Sequence, residues 1–127
     1  MKKLYAIAAV AVVGASAPDL ALAQANLCPV AGRYHVVGRI PGATGSYQGE
    51  AEITGNATGC SMRWFPPNDS FGTGDYANGV LTIYFTFAQN GNSGIVKYTR
   101  AQNGEMHGVW WMNGNEGNQG TETLQPR

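Results

Sequence analysis

From Cys28 onward, apolar and polar residues alternate with a period of two, in short runs separated by breaks rich in glycine and asparagine. That period places successive side chains on opposite faces of a strand, and no stretch keeps a helical period. A first strand is predicted over 32–40, with Tyr34, Val36, Gly38 and Ile40 on one face and Arg33, His35, Val37 and Arg39 on the other. A second, over 46–54, puts Tyr47, Gly49, Ala51 and Ile53 inward and Gln48, Glu50, Glu52 and Thr54 outward. The outer faces of these two strands therefore carry opposite charges. The third runs over 60–65, with Met62 and Trp64 opposite Arg63, and stops at Pro66-Pro67 because proline cannot donate to a ladder. The longest loop is expected next, through Asn68 to Gly74, followed by only a short strand near Asp75 to Ala77. The most apolar strand, 80–88, aligns Leu81, Ile83, Phe85 and Phe87. The run 95–101 groups Val96 with Tyr98, and 106–112 turns Met106, Gly108, Trp110 and Met112 inward and His107, Val109 and Trp111 outward. A glycine-rich loop from Asn113 to Gly120 leads to a last strand over 121–125.

The four Asn-Gly pairs, at 78–79, 90–91, 103–104 and 113–114, are strong hairpin signals. About eight short strands joined in sequence order, with no helix to carry a crossover, favour an all-β, antiparallel, up-and-down arrangement. Eight such strands can close on themselves and remove their edges, so the expected fold is a closed or nearly closed barrel of the lipocalin or avidin kind. A β-sandwich is the alternative. Inward glycines at 38, 49 and 108 fit a tight barrel in which strands bend sharply or lie beneath a bulky ring.

The start of the chain reads differently. Lys2 and Lys3, an apolar stretch from Leu4 to Ala17, and small residues at 21, 23 and 25 form the three parts of a secretory signal, with cleavage expected after Ala23 or Ala25. Residues 1–25 are thus expected to be removed, leaving a single domain over 26–127, exported to the periplasm or secreted, with no membrane insertion after cleavage. Leu27 before Cys28 argues against a lipid anchor at that cysteine. Of the eight basic and eight acidic residues, Lys2, Lys3 and Asp19 lie in the signal, which leaves six against seven. So balanced a domain lacks the positive field that nucleic acid or an anionic membrane surface requires. Cys28 and Cys60, the only two cysteines, are expected to pair in an oxidising compartment.

Motifs for chemistry are weak. Gly72 to Ala77 fits G-x-G-x-x-A, but Asn78-Gly79 and another strand follow it where a dinucleotide site needs a helix. Glu50 and Glu52 share a strand face about 7 Å apart, within glycosidase range, yet Arg33, His35 and Arg39 on the neighbouring outer face make cross-strand pairing the better reading. No serine sits in G-x-S-x-G, and His35 and His107 have no metal-ligand spacing. No enzyme activity, metal or cofactor is therefore expected. Glu122 differs: if Leu124 faces the core, so does Glu122, and a buried carboxyl must be hydrogen bonded, paired or protonated. It is either a structural hub for the last strand or the polar anchor of a pocket with Trp64, Trp110, Tyr34, Tyr47 and Tyr98. Trp111 and Phe65, on the outer face, are candidate anchors for a protein partner.

The series Gly32, Tyr34, Val36, Gly38, Tyr47, Gly49, Ile53, Cys60, Trp64, Val96 and Tyr98, with the ending Gly104, Met106, Gly108, Trp110, Gly120, Glu122, Leu124 and Pro126, resembles a group of small exported bacterial proteins often labelled fibronectin-binding proteins. The resemblance spans nearly all of the expected domain. In many members a second cysteine stands where this chain has Asp75-Tyr76, so Cys28 takes the partner role here. The leading expectation is a non-enzymatic binding module acting through Trp111, Phe65 and the 113–120 loop, and the resemblance implies a matrix or envelope protein as its partner. Two other expectations follow from the residues: a carrier of a small apolar ligand inside the barrel, lined by Trp64, Trp110, Tyr98 and Glu122, or an inhibitor that inserts the 66–74 loop into a secreted hydrolase.

Overall fold

The structure, a computed structural model, describes residues 27–42 and 44–127. The expected signal segment lies outside the described residues. Eight strands follow one another: β1 (Gly32–Arg39), β2 (Ser46–Asn56), β3 (Gly59–Trp64), β4 (Ser70–Ala77), β5 (Val80–Phe87), β6 (Ser93–Arg100), β7 (Met106–Met112) and β8 (Gly120–Pro126). Each pairs antiparallel with its neighbours in sequence, and β8 pairs with β1 to close the barrel. The up-and-down meander expected from the alternation is therefore the fold. Asn78 and Gly79 both take positive φ, 55° and 79°, as the tight primed turn between β4 and β5 demands.

The element that departs from the sequence reading is β4. The segment expected to form the longest loop is an eight-residue strand from Ser70, fully paired with β5. Its glycines misled the pattern. At Gly72 and Gly74 a Cβ would lie 2.4 Å from the Tyr84 carbonyl oxygen and 1.7 Å from that of Thr82. Close contact with β5, not a turn, is what requires glycine there.

Strand alternation turns one face of every strand inward, and on most strands other than β4 that face is apolar and buried. Val36, Ala51, Ile53, Met62, Leu81, Ile83, Val96, Met106 and Leu124 form the core with the aromatic side chains Tyr34, Trp64, Phe85 and Tyr98. On the outer face, His35 meets Glu50 at 3.1 Å and Arg33 meets Glu52 at 4.0 Å, with Arg127 adding a second contact to Glu50 at 2.9 Å. These are the anticipated cross-strand pairs, half exposed and of small energetic weight.

The two ends of the barrel differ. Up-and-down order gathers the β2–β3, β4–β5 and β6–β7 turns at the end where β1 begins, and there the preceding segment folds in as a plug. Cys28 and Val30 are buried, Cys28 is bonded to Cys60 of β3, and the Tyr34 hydroxyl donates to the Val30 carbonyl at 2.5 Å. Tyr34 thus serves this closed end and takes no part in the pocket assigned to it from the sequence. The β1–β2, β3–β4, β5–β6 and β7–β8 connections surround the opposite, open end.

Candidate functional site

The centre of the site is a row of residues running across five strands. Gly38 of β1 and Gly108 of β7 flank Glu122 of β8 in register; beyond them stand Tyr47 of β2, opposite Gly38, and Tyr98 of β6, opposite Gly108. The order is Tyr-Gly-Glu-Gly-Tyr. A Cβ at Gly38 would fall 2.2 Å from the Tyr47 ring, and one at Gly108 would fall 2.5 Å from the Tyr98 ring. Both tyrosines therefore lie flat across a glycine, and that brings their hydroxyls to the carboxyl between them.

Tyr47 donates to Glu122 Oε1 at 2.7 Å, and the Tyr98 hydroxyl donates to Oε2. Trp64 reaches in from β3, its indole N–H donating to Oε2 at 2.9 Å. Burial pushes the Glu122 carboxyl above the usual carboxylate range, and the three donors from Tyr98, Trp64 and Tyr47 hold that rise in check. Burial and the neighbouring Glu122 charge raise Tyr98 and Tyr47 in turn, so both hydroxyls keep their protons and stay donors.

This network is the floor of a pocket of about 340 Å³ that reaches the open end. Trp64, Phe85, Phe87, Tyr47 and Trp110 form its aromatic wall, stacked edge to face: Trp64 on Phe85, Phe85 on Phe87 and Trp110, and Trp110 on Tyr47. Trp110 repeats the ring-over-glycine device, since a Cβ at Gly120, its register partner on β8, would lie 2.7 Å from the indole nitrogen. Ile40, Pro67, Asn68, Gln89 and Asn90 complete the rim.

The rim is tied down on the Asn68 side. The Asp69 N–H donates to the Phe65 carbonyl, its carbonyl accepts from Ala88 of the β5–β6 connection at 3.0 Å, and its carboxylate takes Arg63 at 2.7 Å. Asn68 is thereby held between two strands of the wall. Two residues of the pocket wall each carry a polar atom that has no hydrogen-bond partner and is turned into the protein, away from the pocket space: Asn68 Nδ2 against Gly49 and Trp110 Nε1 against Gly120. The indole N–H of Trp110 lies on the Tyr47 side and eases that hydroxyl's raised pKa, without normal hydrogen-bond geometry to it.

Of the residues singled out from the sequence, Glu122, Trp64, Trp110, Tyr47 and Tyr98 converge at this one place. Trp111 and Phe65 do not join them. Trp111 lies on the outer wall, paired with Ile95. Phe65, just past β3, receives the Arg33 guanidinium over its ring at 4.7 Å. Asn68, Phe85 and Phe87 enter the site without having been singled out as site residues. Phe85 and Phe87 were legible as inward positions, whereas Asn68 depends on loop geometry that carries no sequence signal. Gly72 to Ala77, the weak dinucleotide match, lies within β4. Among the described residues no three His, Cys, Asp or Glu side chains gather as a metal site. No protein-family model, curated protein or solved structure matches the chain.

Proposed function

We propose that the protein is a non-enzymatic carrier of a small, largely apolar molecule held at the open end of the barrel. One observation carries this reading: an open pocket of about 340 Å³ with aromatic walls above the Glu122 network. Pockets of about 300–1,000 Å³ with mostly apolar walls and a few placed polar groups suit small ligands. The lining holds a carboxyl but no histidine, cysteine or lysine, which favours binding over catalysis. Export from the cell is part of the same proposal, and the Cys28–Cys60 bridge is consistent with an oxidising compartment. The test is native mass spectrometry of protein exported through its own leader and gently purified. An adduct that disappears on denaturation is the expected result. A bare mass, together with no thermal shift across a broad panel of small aromatic compounds, would overturn the reading.

A second reading, capture of a protein partner, is favoured by the outer wall. Tyr84, Ile95 and Trp111 stand side by side in register across β5, β6 and β7. Phe71 and Val109 lie nearby, and Phe71, Tyr84 and Val109 are among the exposed large apolar residues. Contiguous apolar surface of this kind marks interaction sites. On this reading Trp111→Ala weakens binding to immobilised fibronectin, the partner the resemblance implies, and leaves thermal stability unchanged. Equal loss of both, or no binding by the wild type, would contradict it.

A further inference from the structure

Rings and a single carboxyl set the electrostatics of the open pocket. Tyr47, Phe87 and Trp110 are partly exposed members of its wall. Tyr47 lies over Gly38 and Trp110 over Gly120, so each has one side against the barrel wall and the other toward the space the wall encloses. Phe87 continues the row through Phe85, and successive rings stand at 63° to 76° to one another. The space is thus bordered by π-systems on several sides, and the face of a π-system is negative. Beneath them is Glu122, 5 % exposed, whose three hydrogen-bond partners are all neutral. No lysine, arginine or histidine lines the pocket, and among the described residues no ion pair includes Glu122. Three donors spread the charge of the ionised carboxyl without cancelling it.

What the pocket lacks is positive charge. An anion would add to the sign already there, and a neutral body would leave the carboxylate unbalanced. A primary ammonium would balance it, but its three N–H groups need acceptors, which the rings do not supply and which the carboxylate has largely given to Tyr47, Trp64 and Tyr98. An ammonium whose nitrogen bears only carbon has no N–H to satisfy and presents C–H groups to the rings. Its attraction to the carboxylate acts across low-dielectric surroundings and needs no direct contact. From this we infer that the ligand carries a quaternary ammonium head, seated among Tyr47, Phe87 and Trp110 above the Glu122 carboxylate, with the rest of the molecule directed out of the open end. This rests on the carrier reading and gives it a ligand class, since such a head is apolar over its surface although it is charged.

Three matched probes test it by calorimetric titration of the disulfide-bonded protein: choline, its neutral carbon isostere 3,3-dimethylbutan-1-ol, and protonated ethanolamine. Choline is expected to bind about ten-fold or more tightly than the alcohol, the effect of a cation on desolvated rings, and more tightly than ethanolamine. Glu122→Gln removes the charge and should reduce choline's advantage several-fold with the alcohol little changed. Phe87→Leu, which keeps apolar bulk at the mouth and leaves the Glu122 network intact, should reduce it from the ring side, and decides the matter where Glu122→Gln does not fold. A choline advantage unchanged in the folded variants would place its site elsewhere and overturn the inference. If the alcohol binds as tightly as choline, charge is not read, the inference fails and the carrier reading stands. If ethanolamine binds most tightly, a hydrogen-bonding cation is selected and the inference is overturned. If none of the three binds, the inference fails, and the carrier reading is decided by the native mass and the aromatic panel.

Discussion

Glu122 is the residue on which the interior depends. Its inward direction was legible from the sequence, because it alternates with Thr121 and Thr123 and shares a face with Leu124. Its three donors, Tyr47, Trp64 and Tyr98, were all among the five aromatic residues grouped with it, but which of the five reach it was not legible, since that is set by the register of the closed barrel. The inward glycines were the available clue: Gly38 and Gly108 mark the places where Tyr47 and Tyr98 cross to reach the carboxyl. Glu122→Leu strands three buried donors, each costing about 1–3 kcal/mol, so the substitution should destabilise by at least about 3 kcal/mol in urea unfolding. Glu122→Gln can still accept from Trp64 and Tyr98 and donate to Tyr47, and should cost less than half as much. A carboxyl raised by burial holds its proton longer folded than unfolded, so the wild type loses stability as pH rises from the ordinary carboxylate range through the raised value. Glu50 has the opposite sign, since the His35 hydrogen bond foremost lowers its pKa and its contribution is lost as pH falls. Comparing wild type with Glu122→Gln cancels Glu50. The variant should gain on the wild type as pH rises above the ordinary carboxylate range, and a pH-independent difference would refute this account of the carboxyl.

At the scale of single elements, seven of the eight strands were legible because each carries its own alternation of apolar and polar residues. β4 was not. Its inward positions include Ser70, Gly72 and Gly74, a composition that reads locally as loop and becomes strand only because β3 and β5 hold both edges. Such a strand should be intolerant of even one added methyl group. Gly74→Ala sets a Cβ against the Thr82 carbonyl backbone and should reduce stability by about 2 kcal/mol or more, with loss of amide protection concentrated in β4 and β5. The same substitution at Gly79 meets no atom within 4 Å, but its φ of 79° makes the cost one of backbone strain without overpacking. Loss of amide protection spread evenly around the barrel in Gly74→Ala would count against this origin of β4.

For the whole molecule, barrel closure and the Cys28–Cys60 bridge were both readable in advance, from strand count and cysteine count. The difference between the ends was not, because eight strands alone leave an interior that side chains can fill. The asymmetry comes from the buried Cys28–Val30 segment, which fills one end only, while rings lying on glycines leave space at the other. The bridge spans 32 residues, so Cys28→Ala with Cys60→Ala should cost roughly 3 to 4 kcal/mol by lost loop-closure entropy. For a domain of this size that is a fall in Tm of about 15 °C or more. Since the plug and the pocket lie at opposite ends, the reduced protein should still take up ligand at temperatures where it remains folded.

The central claim is that small molecules enter the open end of the barrel and lie against Trp110 above the Glu122 floor. The chain's three tryptophans report on it separately, since Trp64 bonds to Glu122, Trp110 forms part of the pocket wall and Trp111 lies on the outer wall. The most direct measurement is a ¹H–¹⁵N correlation spectrum of the labelled protein, assigned at the three indole N–H groups, during separate titrations with choline and 3,3-dimethylbutan-1-ol. The account predicts a large saturable shift at Trp110, a smaller one at Trp64 and none at Trp111. A shift at Trp111 alone, or none at any of the three, would contradict it.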